Sequence, residues 1–219
     1  MSEWGEDEDL ESSEAELERQ ELSPEGIAET NRHLVERQAI FRRAADVATA
    51  VLAEFDEVAA VALFGSVASP LWKEVPRFSS YRRAGIALWH ECSDVDIAVW
   101  LNRLDRLRPM RRSVNRALPD IMKETGLGVA SHQLDIFVFE PGTDRYLGRM
   151  CQFKACPADK AVCLVPGCGS IPFLQQHEGF VLHADALDPA RAVRLFERVT
   201  GETRCAVDLP GPPQDDNHQ

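Results

Sequence analysis

The chain of 219 residues is long enough for one ordinary domain with extensions. Hydrophobic residues make up 44% and charged residues 27%, which is typical of globular proteins and excludes a disordered or fibrous chain. No run of about 18 apolar residues is present, so the sequence predicts no membrane-spanning helix and no membrane partner. The acidic start lacks the basic character of a secretory signal or transit peptide, and we expect a cytoplasmic protein.

The formal net charge of −12 is concentrated at the two ends. Residues 1–25 hold eleven acids and one base, and residues 206–219 add three acids, whereas residues 26–205 hold 23 bases and 22 acids. The net charge of the whole chain argues against a polyanionic partner. Because residues 26–205 are nearly neutral, a nucleotide or an RNA is still allowed as a partner. We expect residues 1–23 and 206–219 to be disordered tails.

Apolar periodicity predicts three helices. Ser23 and Pro24 are a helix-start signal, and apolar residues spaced three, four and seven apart continue the first helix to about residue 55. The same periodicity predicts a second helix over 104–125, and an Asp-Pro start predicts a short third helix over 189–199. Short apolar runs predict three buried strands, which cover 58–64, 95–101 and 134–139.

These elements predict an α/β (α+β) fold in which a short mixed sheet is flanked by helices. We assign residues 24–142 to this domain and residues 143–205 to a small cysteine-bearing C-terminal extension. Residues 67–93, between the first two strands, have the mixed composition of a long loop or insertion with one helix. Loops beside a site commonly set its specificity, so we expect this insertion to shape a substrate pocket.

Three carboxylates interrupt the predicted strands. Asp94 and Asp96 stand two residues apart and therefore share one strand face, and Asp135 lies in the third apolar run. A carboxylate buried in such a run is costly unless it is paired or bound to a metal, and no basic residue stands nearby in sequence. Hard divalent cations, Mg²⁺ or Mn²⁺, accept carboxylate and phosphate oxygens together. The sequence therefore predicts a metal site at the three aspartates. For a single aspartate, the favoured interpretation would instead be a turn or cap residue beside an ordinary strand.

A glycine turn follows the first predicted strand. Gly65 lets the backbone turn tightly and approach a phosphate, and the following amides and the Ser66 hydroxyl can hold the phosphate oxygens. A Gly-Ser pair alone is weak support for a phosphate site. Its position before a strand with Asp-x-Asp and a further strand with one Asp is far more specific.

This order of motifs resembles the nucleotidyltransferase superfamily that includes DNA polymerase β. The resemblance covers roughly residues 27–140 and is closest to the small stand-alone members of the superfamily. Between Ser66 and Asp94 the chain has 27 residues, about twice the usual gap. The matching motifs are Phe64-Gly65-Ser66, Asp94-Val95-Asp96-Ile97 and Leu134-Asp135-Ile136.

The resemblance implies transfer of a nucleoside monophosphate from a nucleoside triphosphate to a hydroxyl group, with release of pyrophosphate, by a two-metal mechanism. Asp94 and Asp96 would hold Mg²⁺ on the triphosphate. Gly65 and Ser66 would bind its β- and γ-phosphates. Asp135 would bind a second Mg²⁺ and help to deprotonate the acceptor, which is left open as a small molecule, a protein or an RNA. The alternative is an antitoxin-type regulatory or nucleotide-binding protein of the same fold that acts mainly through a protein partner.

Basic residues near the motifs are further candidates. Arg82 and Arg83 lie in the insertion and are candidate nucleotide-binding residues through contacts with phosphate. A cluster of six arginines follows the second strand, with only Asp105 opposing it. This cluster could guide a triphosphate or an RNA acceptor, but the solvated face of an amphipathic helix is the favoured interpretation. Its members are Arg103, Arg106, Arg108, Arg111, Arg112 and Arg116.

Four of the six cysteines fall within 18 residues. In a reducing compartment disulfides are not expected, and four thiolates suit a structural Zn²⁺. Their spacings differ from the usual Cys-x2-Cys, and free cysteines buried in the core are an equally favoured alternative. The candidate zinc ligands are Cys151, Cys156, Cys163 and Cys168.

Overall fold

The structure, a computed structural model, divides into two units. Within the described residues, the small unit comprises 19–37, 71–91 and 211–213, and the sheet unit comprises 38–70 and 92–210. The described residues are 19–77, 80–152, 156–157, 168–176, 180–183 and 185–213. The predicted tail over 1–23 lies almost wholly outside them.

Helix α1 (Pro24–Ala53) runs from the small unit into the sheet unit. Ser23 caps its first turn, because the Ser23 Oγ accepts a hydrogen bond from the Gly26 N–H at 3.0 Å. The predicted start of this helix is therefore confirmed, and its end comes two residues earlier than predicted. No helix in the described part of the chain combines the length and the apolar character needed to cross a bilayer.

The small unit adds two short strands and a short helix to the first half of α1. Strand β2 (Lys73–Glu74) pairs antiparallel with β3 (Leu88–Trp89), and helix α2 (Ser80–Ala84) lies between them in the chain. The Asn31 side chain accepts a hydrogen bond from the Trp89 N–H at 2.8 Å, which joins α1 to the strand pair. The insertion thus contains the predicted single helix and a strand pair that its sequence did not indicate.

The sheet unit is built on a sheet of seven strands. These are β1 (Val58–Phe64), β4 (Val95–Leu101), β5 (Leu134–Phe139), β6 (Tyr146–Met150), β7 (Leu174–Gln175), β8 (Val193–Glu197) and β9 (Glu202–Thr203). Their order is β7-β6-β5-β4-β1-β8-β9. Only β4 and β5 run parallel, and the other neighbouring pairs are antiparallel. The predicted α+β class with a mixed sheet is therefore confirmed, and the three predicted strands occupy its centre.

Both faces of the central strands are buried. One face carries an aromatic cluster around Phe64, Trp100 and Phe139, which Leu182 and Leu187 from a later segment help to cover. The alternate residues, such as Val61 and Ile97, point to the other face and are fully buried. We infer that this face is covered by the buried apolar residues of α1 and of helix α3 (Leu107–Thr125).

Helix α3 begins three residues later than predicted and ends at the predicted glycine. Gly126 has φ +77°, a left-handed conformation that ends a helix at no steric cost, and its N–H donates to the Met122 carbonyl. The apolar spacing that predicted this helix also defines its buried face, since Met110, Val114 and Leu118 are almost completely buried. The opposite face of α3 carries the exposed arginines Arg108, Arg112 and Arg116.

The helix predicted over 189–199 is wrong, because residues 193–197 form strand β8. Strand β8 pairs antiparallel with β1, and Leu63 lies opposite Val193. The Asp188 carbonyl accepts hydrogen bonds from the N–H groups of Arg191 and Ala192. The Asp-Pro start therefore forms one turn and not a helix. As a strand, residues 193–197 form backbone hydrogen bonds with the edge of β1 that is not paired with β4. A helix over the same residues could not form these bonds with β1.

The tail predicted over 206–219 is ordered through residue 210, so this prediction is wrong for its first five residues. Residues Ala206–Asp208 form a 3₁₀ turn, and Ala206 is completely buried. The Asp46 carboxylate accepts hydrogen bonds from the N–H groups of Ala206 and Val207. Residues 214–219 lie outside the described part of the chain.

The predicted boundary between residues 142 and 143 does not coincide with a structural boundary. Strands β6 to β9 come from the segment assigned to a C-terminal extension, yet they extend the same sheet on both edges. Strand β8 in particular lies beside β1, which is a strand of the first predicted domain. Backbone pairing thus makes the four described strands of this segment part of the sheet unit rather than an appendage to it.

Candidate active site

The sheet brings four of the predicted residues to one end. Gly65 directly follows β1, Asp94 directly precedes β4, and Asp96 is the second residue of β4. Because β1 and β4 are antiparallel, the end of β1 meets the start of β4, with Phe64 opposite Asp96. Asp135 is the second residue of β5, and in the parallel pair it lies directly opposite Asp96. Neighbouring strands lie about 4.8 Å apart, so these two aspartates are adjacent on one face.

Gly65 and Asp96 approach each other closely. A Cβ atom built on Gly65 would lie 2.5 Å from the Asp96 Oδ2, which is closer than two such atoms can stand. Gly65 also has φ +75°, in the left-handed region that favours glycine. A glycine is therefore required here for two reasons, the shape of the turn and the room for the Asp96 carboxylate.

Two buried side chains of α1 hold the turn after Gly65. Gln38 donates from Nε2 to the Ser69 carbonyl at 2.8 Å, and Arg42 donates from Nε to the Val67 carbonyl at 3.1 Å. The backbone N–H group of Ser66, which is partly exposed, donates to no group in the described part of the chain, whereas Val67 is completely buried. A free amide beside the exposed Gly65 can receive an oxygen of a phosphate.

Asp96 carries the unusual electrostatics of the site. Burial raises the pKa of its carboxyl from 3.8 to about 7, and the charges of Asp135 and Asp94 act in the same direction. The positive charge of Arg149 opposes the rise in pKa. No hydrogen bond to the Asp96 carboxylate comes from the described residues, so this group has neighbours of its own charge and no donor.

Asp135 is already paired. Arg149 donates from Nη1 to its Oδ2 at 2.6 Å, and Gln152 donates from Nε2 to its Oδ1 at 2.7 Å. Arg149 stands on β6, diagonally across from Asp135 in the antiparallel pair of β5 and β6. Sequence analysis missed both residues, because it looked for a cation nearby in the chain and the partner comes from the neighbouring strand. The sequence of β6 (Tyr146–Met150) has no polar and apolar alternation, so it offered no signal for this pairing.

Asp94 is half-buried, and fewer described residues donate hydrogen bonds to its carboxylate than to that of Asp135. The Ser93 hydroxyl donates to its Oδ2 at 3.1 Å. The predicted strand over 95–101 is confirmed, and Asp94 lies just before it. Its charge still reaches Asp96, whose pKa it raises.

The donor chemistry of Asp94 and Asp96 fits one hard divalent cation. Both offer carboxylate oxygens, and the space beside Gly65 keeps the Asp96 oxygens at the surface of the turn. No group of three or more His, Cys, Asp or Glu side chains within the described residues has the arrangement of a metal site. In place of a second cation, Asp135 has the guanidinium of Arg149. The residues present therefore fit one cation at the aspartate pair better than the two cations predicted.

The candidate arginines fall into groups with different tasks. Arg82 and Arg83 lie on α2 in the small unit, and Arg82 donates to the Arg77 carbonyl at 2.6 Å. In the cluster, Arg103 and Arg106 pair with the buried carboxylate of Glu57, at 2.9 and 3.7 Å. These contacts are structural, and the nucleotide-binding role of Arg82 and Arg83 stays a prediction.

Arg111 is a buried member of the cluster rather than part of a solvated face. It donates from Nη1 to the Leu134 carbonyl at 2.9 Å and from Nη2 to the Ser131 carbonyl. These hydrogen bonds tie α3 to the start of β5, one residue before Asp135. The favoured interpretation of the cluster is therefore wrong for Arg111, because one side chain of the helix reaches backbone acceptors that its sequence could not reveal.

Three of the four candidate zinc ligands lie within the described residues. Cys151 and Cys168 are buried, and Cys156 is partly buried. Gln175 donates to the Cys151 sulfur at 3.6 Å, and the Phe173 N–H donates to the Cys156 sulfur at 3.5 Å. They form no metal-holding group among the described residues, and Cys163 lies outside those residues. A zinc site stays a prediction, and the burial of Cys151 and Cys168 agrees with the alternative of cysteines packed in the core.

Comparison with known proteins gives no match: no protein-family model, no curated protein and no solved structure is similar to the chain at a significant level. The geometry of the site is therefore the basis for its function. A turn with a free amide meets three carboxylates: no described residue donates a hydrogen bond to Asp96, the Ser93 hydroxyl donates to Asp94, and Arg149 donates to Asp135. Such a site is suited to an anionic ligand that arrives with a divalent cation.

Proposed function

We propose that this chain is a nucleotidyltransferase, which transfers a nucleoside monophosphate from a nucleoside triphosphate to a hydroxyl group and releases pyrophosphate. The observation that carries the proposal is the close approach of the Gly65 turn to the carboxylate of Asp96, with Asp135 beside it. Carboxylates next to a phosphate-binding turn would repel the phosphate unless a cation joined them. A metal–nucleotide complex would satisfy both halves of the site, because its cation would bind the carboxylates and its phosphates would bind the turn. We assign the mixed sheet to the nucleotidyltransferase fold on the same grounds.

Each residue of the site has one task in this proposal. The amide and the hydroxyl of Ser66 bind the β- and γ-phosphates. Asp94 and Asp96 hold Mg²⁺ or Mn²⁺, and a bound cation supplies positive charge that offsets the charge of the triphosphate. Gln38 keeps the turn in the shape that this binding needs, because it holds the carbonyl at the far end of the turn.

The reaction makes one bond and breaks one. The oxygen of the acceptor hydroxyl attacks the α-phosphorus, a new P–O bond forms, and the bond to the bridging oxygen of the β-phosphate breaks. Pyrophosphate leaves with the electron pair of that bond. The hydroxyl proton passes to the carboxylate of Asp135, where each oxygen retains a lone pair because Arg149 and Gln152 donate one hydrogen bond apiece. Arg149 and Gln152 thus position Asp135 while leaving it able to accept a proton.

The position of a radioactive label tests the proposal. The four nucleoside triphosphates, labelled at the α- or the γ-phosphate, are incubated with the full-length protein, Mg²⁺ and cell extract. We expect the α-label to become attached to an acceptor and the γ-label to appear in pyrophosphate. Asp94→Asn combined with Asp96→Asn should abolish both, and the exposed acids Asp105→Asn and Asp120→Asn serve as the matched control. Transfer of the γ-label, or equal transfer by the double variant, would overturn the proposal.

One observation supports a second candidate, a nucleotide-binding regulatory protein that acts through a protein partner. Arg149 satisfies the charge of Asp135 without a second cation, which suits a site that binds a nucleotide and does not turn it over. Binding of a Mg²⁺–nucleotide complex without release of pyrophosphate across all acceptors would favour this candidate.

A further inference from the structure

A column of three arginines runs along the exposed face of α3. Arg108, Arg112 and Arg116 are all exposed and are spaced four residues apart. Residues four apart lie on the same face of a helix, and each step rises about 6 Å along the axis. The three guanidinium groups therefore form a row about 12 Å long. We call this row the arginine column.

The arginine column lacks the structural partners that its neighbours have. Arg103 and Arg106 pair with Glu57, and Arg111 is buried against backbone carbonyls. In the described part of the chain, no carboxylate pairs with any of the three arginines of the column. Like charges four residues apart on a helix repel each other, so this arrangement disfavours the isolated helix. A ligand of opposite charge would remove the repulsion.

Two clefts border the arginine column, and each has a volume of about 430 Å³. All three arginines of the column line both clefts. One cleft is completed by Phe173 and by the amides of Asn115 and Gln152, and the other by Phe55 and Ser113. Among the described residues that line them, none is acidic. The cleft with Phe173 thus places a partly exposed aromatic ring and two amides beside the row of positive charge, whereas Phe55 in the other cleft is buried.

Phe173 is held in an unusual conformation at the edge of its cleft. Its φ is +61°, which is rare for a bulky residue and has to be maintained by surrounding contacts. The Phe173 N–H donates to the Cys156 sulfur at 3.5 Å, and its carbonyl accepts from the Cys151 N–H at 2.8 Å. The ring lies 5.5 Å from the guanidinium of Arg108. The chain therefore maintains an unfavourable backbone conformation to present an aromatic ring next to the arginine column.

We propose that the arginine column and its two clefts bind a single-stranded polynucleotide. One phosphate occupies the fork of one guanidinium, so a row of three separated arginines fits a ligand with a series of separated phosphates. The phosphates of a triphosphate are bonded to one another and are too close together for a 12 Å row. A single strand also has unpaired bases, which enter clefts and stack on aromatic rings. A duplex has no unpaired bases to place there, and the acidic residues of a peptide have no ring that could stack in a cleft.

The surface ends near the candidate active site. Gln152 lines the cleft that contains Phe173, and its side chain donates to the Oδ1 of Asp135. A strand bound along α3 would therefore have its nearest end beside the carboxylates. The proposed binding does not depend on nucleotidyl transfer, and its test requires no turnover.

The test is the anisotropy of a fluorescent 12-nucleotide oligouridylate, titrated with the full-length protein between about 50 and 300 mM salt. For single strands, each neutralised phosphate contributes about 0.7 to the slope of log K against log salt, so three contacts predict a slope of about −2. Replacing the arginine column by alanine (Arg108→Ala, Arg112→Ala and Arg116→Ala together) should lower the affinity at 50 mM salt at least about tenfold and bring the slope close to zero. Replacement by lysine should retain most of the slope, because the charge remains.

The matched control removes three exposed arginines elsewhere in the sheet unit. Arg145→Ala, Arg191→Ala and Arg204→Ala together make the same change in net charge, and each of these arginines pairs with an exposed acid. This control should change the affinity less than about twofold. Circular dichroism melting should show the alanine variant of the column folded, since alanine favours a helix more than arginine does.

Four results would overturn the proposal. The first is a loss of affinity in the control as large as in the column variant, and the second is an unchanged salt slope in the column variant. The third is binding of a duplex of equal length as tight as that of the single strand. The fourth is displacement of the oligonucleotide by polyglutamate or free triphosphate at an equal concentration of phosphate or carboxylate groups. A deoxyuridylate oligonucleotide that binds equally well supports recognition of the phosphate backbone and bases, whereas tighter binding of the RNA adds a contact with the 2′-hydroxyl.

Discussion

Arg149 donates a hydrogen bond from Nη1 to the Oδ2 of Asp135 at 2.6 Å, and this ion pair sets the charge balance of the whole site. Three carboxylates gather at one end of the sheet, and the guanidinium of Arg149 donates to that of Asp135. No described residue donates a hydrogen bond to Asp96, which lies between Asp135 and the Gly65 turn. The site thus has one paired carboxylate and one whose burial and neighbours favour protonation or a bound cation.

Arg149→Ala should raise the pKa of Asp96 above its value of about 7. Burial and the charges of Asp135 and Asp94 raise that pKa, and Arg149 is the group that opposes them. The measurement is a titration of the side-chain carboxyl carbons by NMR in the absence of divalent metal. Arg145→Ala is the matched control, because Arg145 is exposed and pairs with Glu140. An unchanged or lower pKa of Asp96 in the Arg149 variant would contradict the proposed charge balance.

Asp96→Asn should make the metal-free protein more stable at pH 8 than the wild type. The pKa of Asp96 is raised in the folded state, so the wild-type stability present below about pH 4 is lost as the pH rises through 7. The amide of the variant carries no charge and avoids this loss. The difference in the free energy of unfolding should grow from pH 4 to pH 7 and then level off, with an upper limit of about 4 kcal/mol.

Urea unfolding at pH 4, 6 and 8 measures this difference, and Asp105→Asn at an exposed position is its control. A difference that is independent of pH would show that Asp96 ionises normally in the folded protein. Added Mg²⁺ should stabilise the wild type at pH 8 and leave the Asp96 variant unchanged, because the cation offsets the same charge.

Gly65→Ala should impair nucleotide binding and destabilise the fold more than Gly142→Ala does. Both glycines have φ near +75°, so both substitutions carry the cost of a left-handed alanine, about 1–2 kcal/mol. Only at Gly65 does the new Cβ meet the Asp96 carboxylate, whereas nothing lies within 4 Å of it at Gly142. Thermal unfolding and nucleotide titration of both variants separate backbone strain from the steric clash. Equal effects at the two positions would show that the close approach to Asp96 is unimportant.

Arg42→Met should destabilise the sheet unit by about 2–4 kcal/mol, because it removes four hydrogen bonds made by a buried guanidinium. Arg42 donates to the carbonyls of Val67 and Ser69 in the turn and to those of Leu209 and Pro210 near the C-terminal end. Arg43→Met is the neighbouring control: Arg43 is exposed and pairs with Glu124 at the surface, which is worth less than about 1 kcal/mol. Urea denaturation measures both, and similar losses would contradict the structural role of Arg42.

The parts of the fold predicted from sequence were those with a strong local pattern. Strands β1, β4 and β5 are nearly continuous apolar runs, and α1 has both an apolar stripe and the Ser23 cap, so each is defined within its own segment. Strand β8 was predicted as a helix because its segment begins with Asp188 and Pro189. Its pairing with β1 depends on hydrogen bonds from a strand more than 120 residues away, which no local pattern contains.

The candidate site shows the same division. Gly65, Ser66 and the aspartates could be predicted from motifs, since each motif lies at the end of a strand. The partners Arg149 and Gln152 could not, because they come from β6 and the residues after it. The two-cation expectation likewise depended on Asp135 having no cation nearby in sequence. The order of the strands in the sheet decides which side chains become neighbours, and the sequence alone does not show that order.

The most direct test of the account is calorimetric titration of the full-length protein with a nucleoside triphosphate that cannot be cleaved between its α- and β-phosphates. We predict one binding site per chain, dependent on Mg²⁺, with the affinity reduced at least about tenfold by Asp94→Asn combined with Asp96→Asn. The exposed pair Asp105→Asn and Asp120→Asn should leave the affinity unchanged. Equal affinity in the Asp94 and Asp96 double variant, or binding that is the same without a divalent cation, would contradict the account.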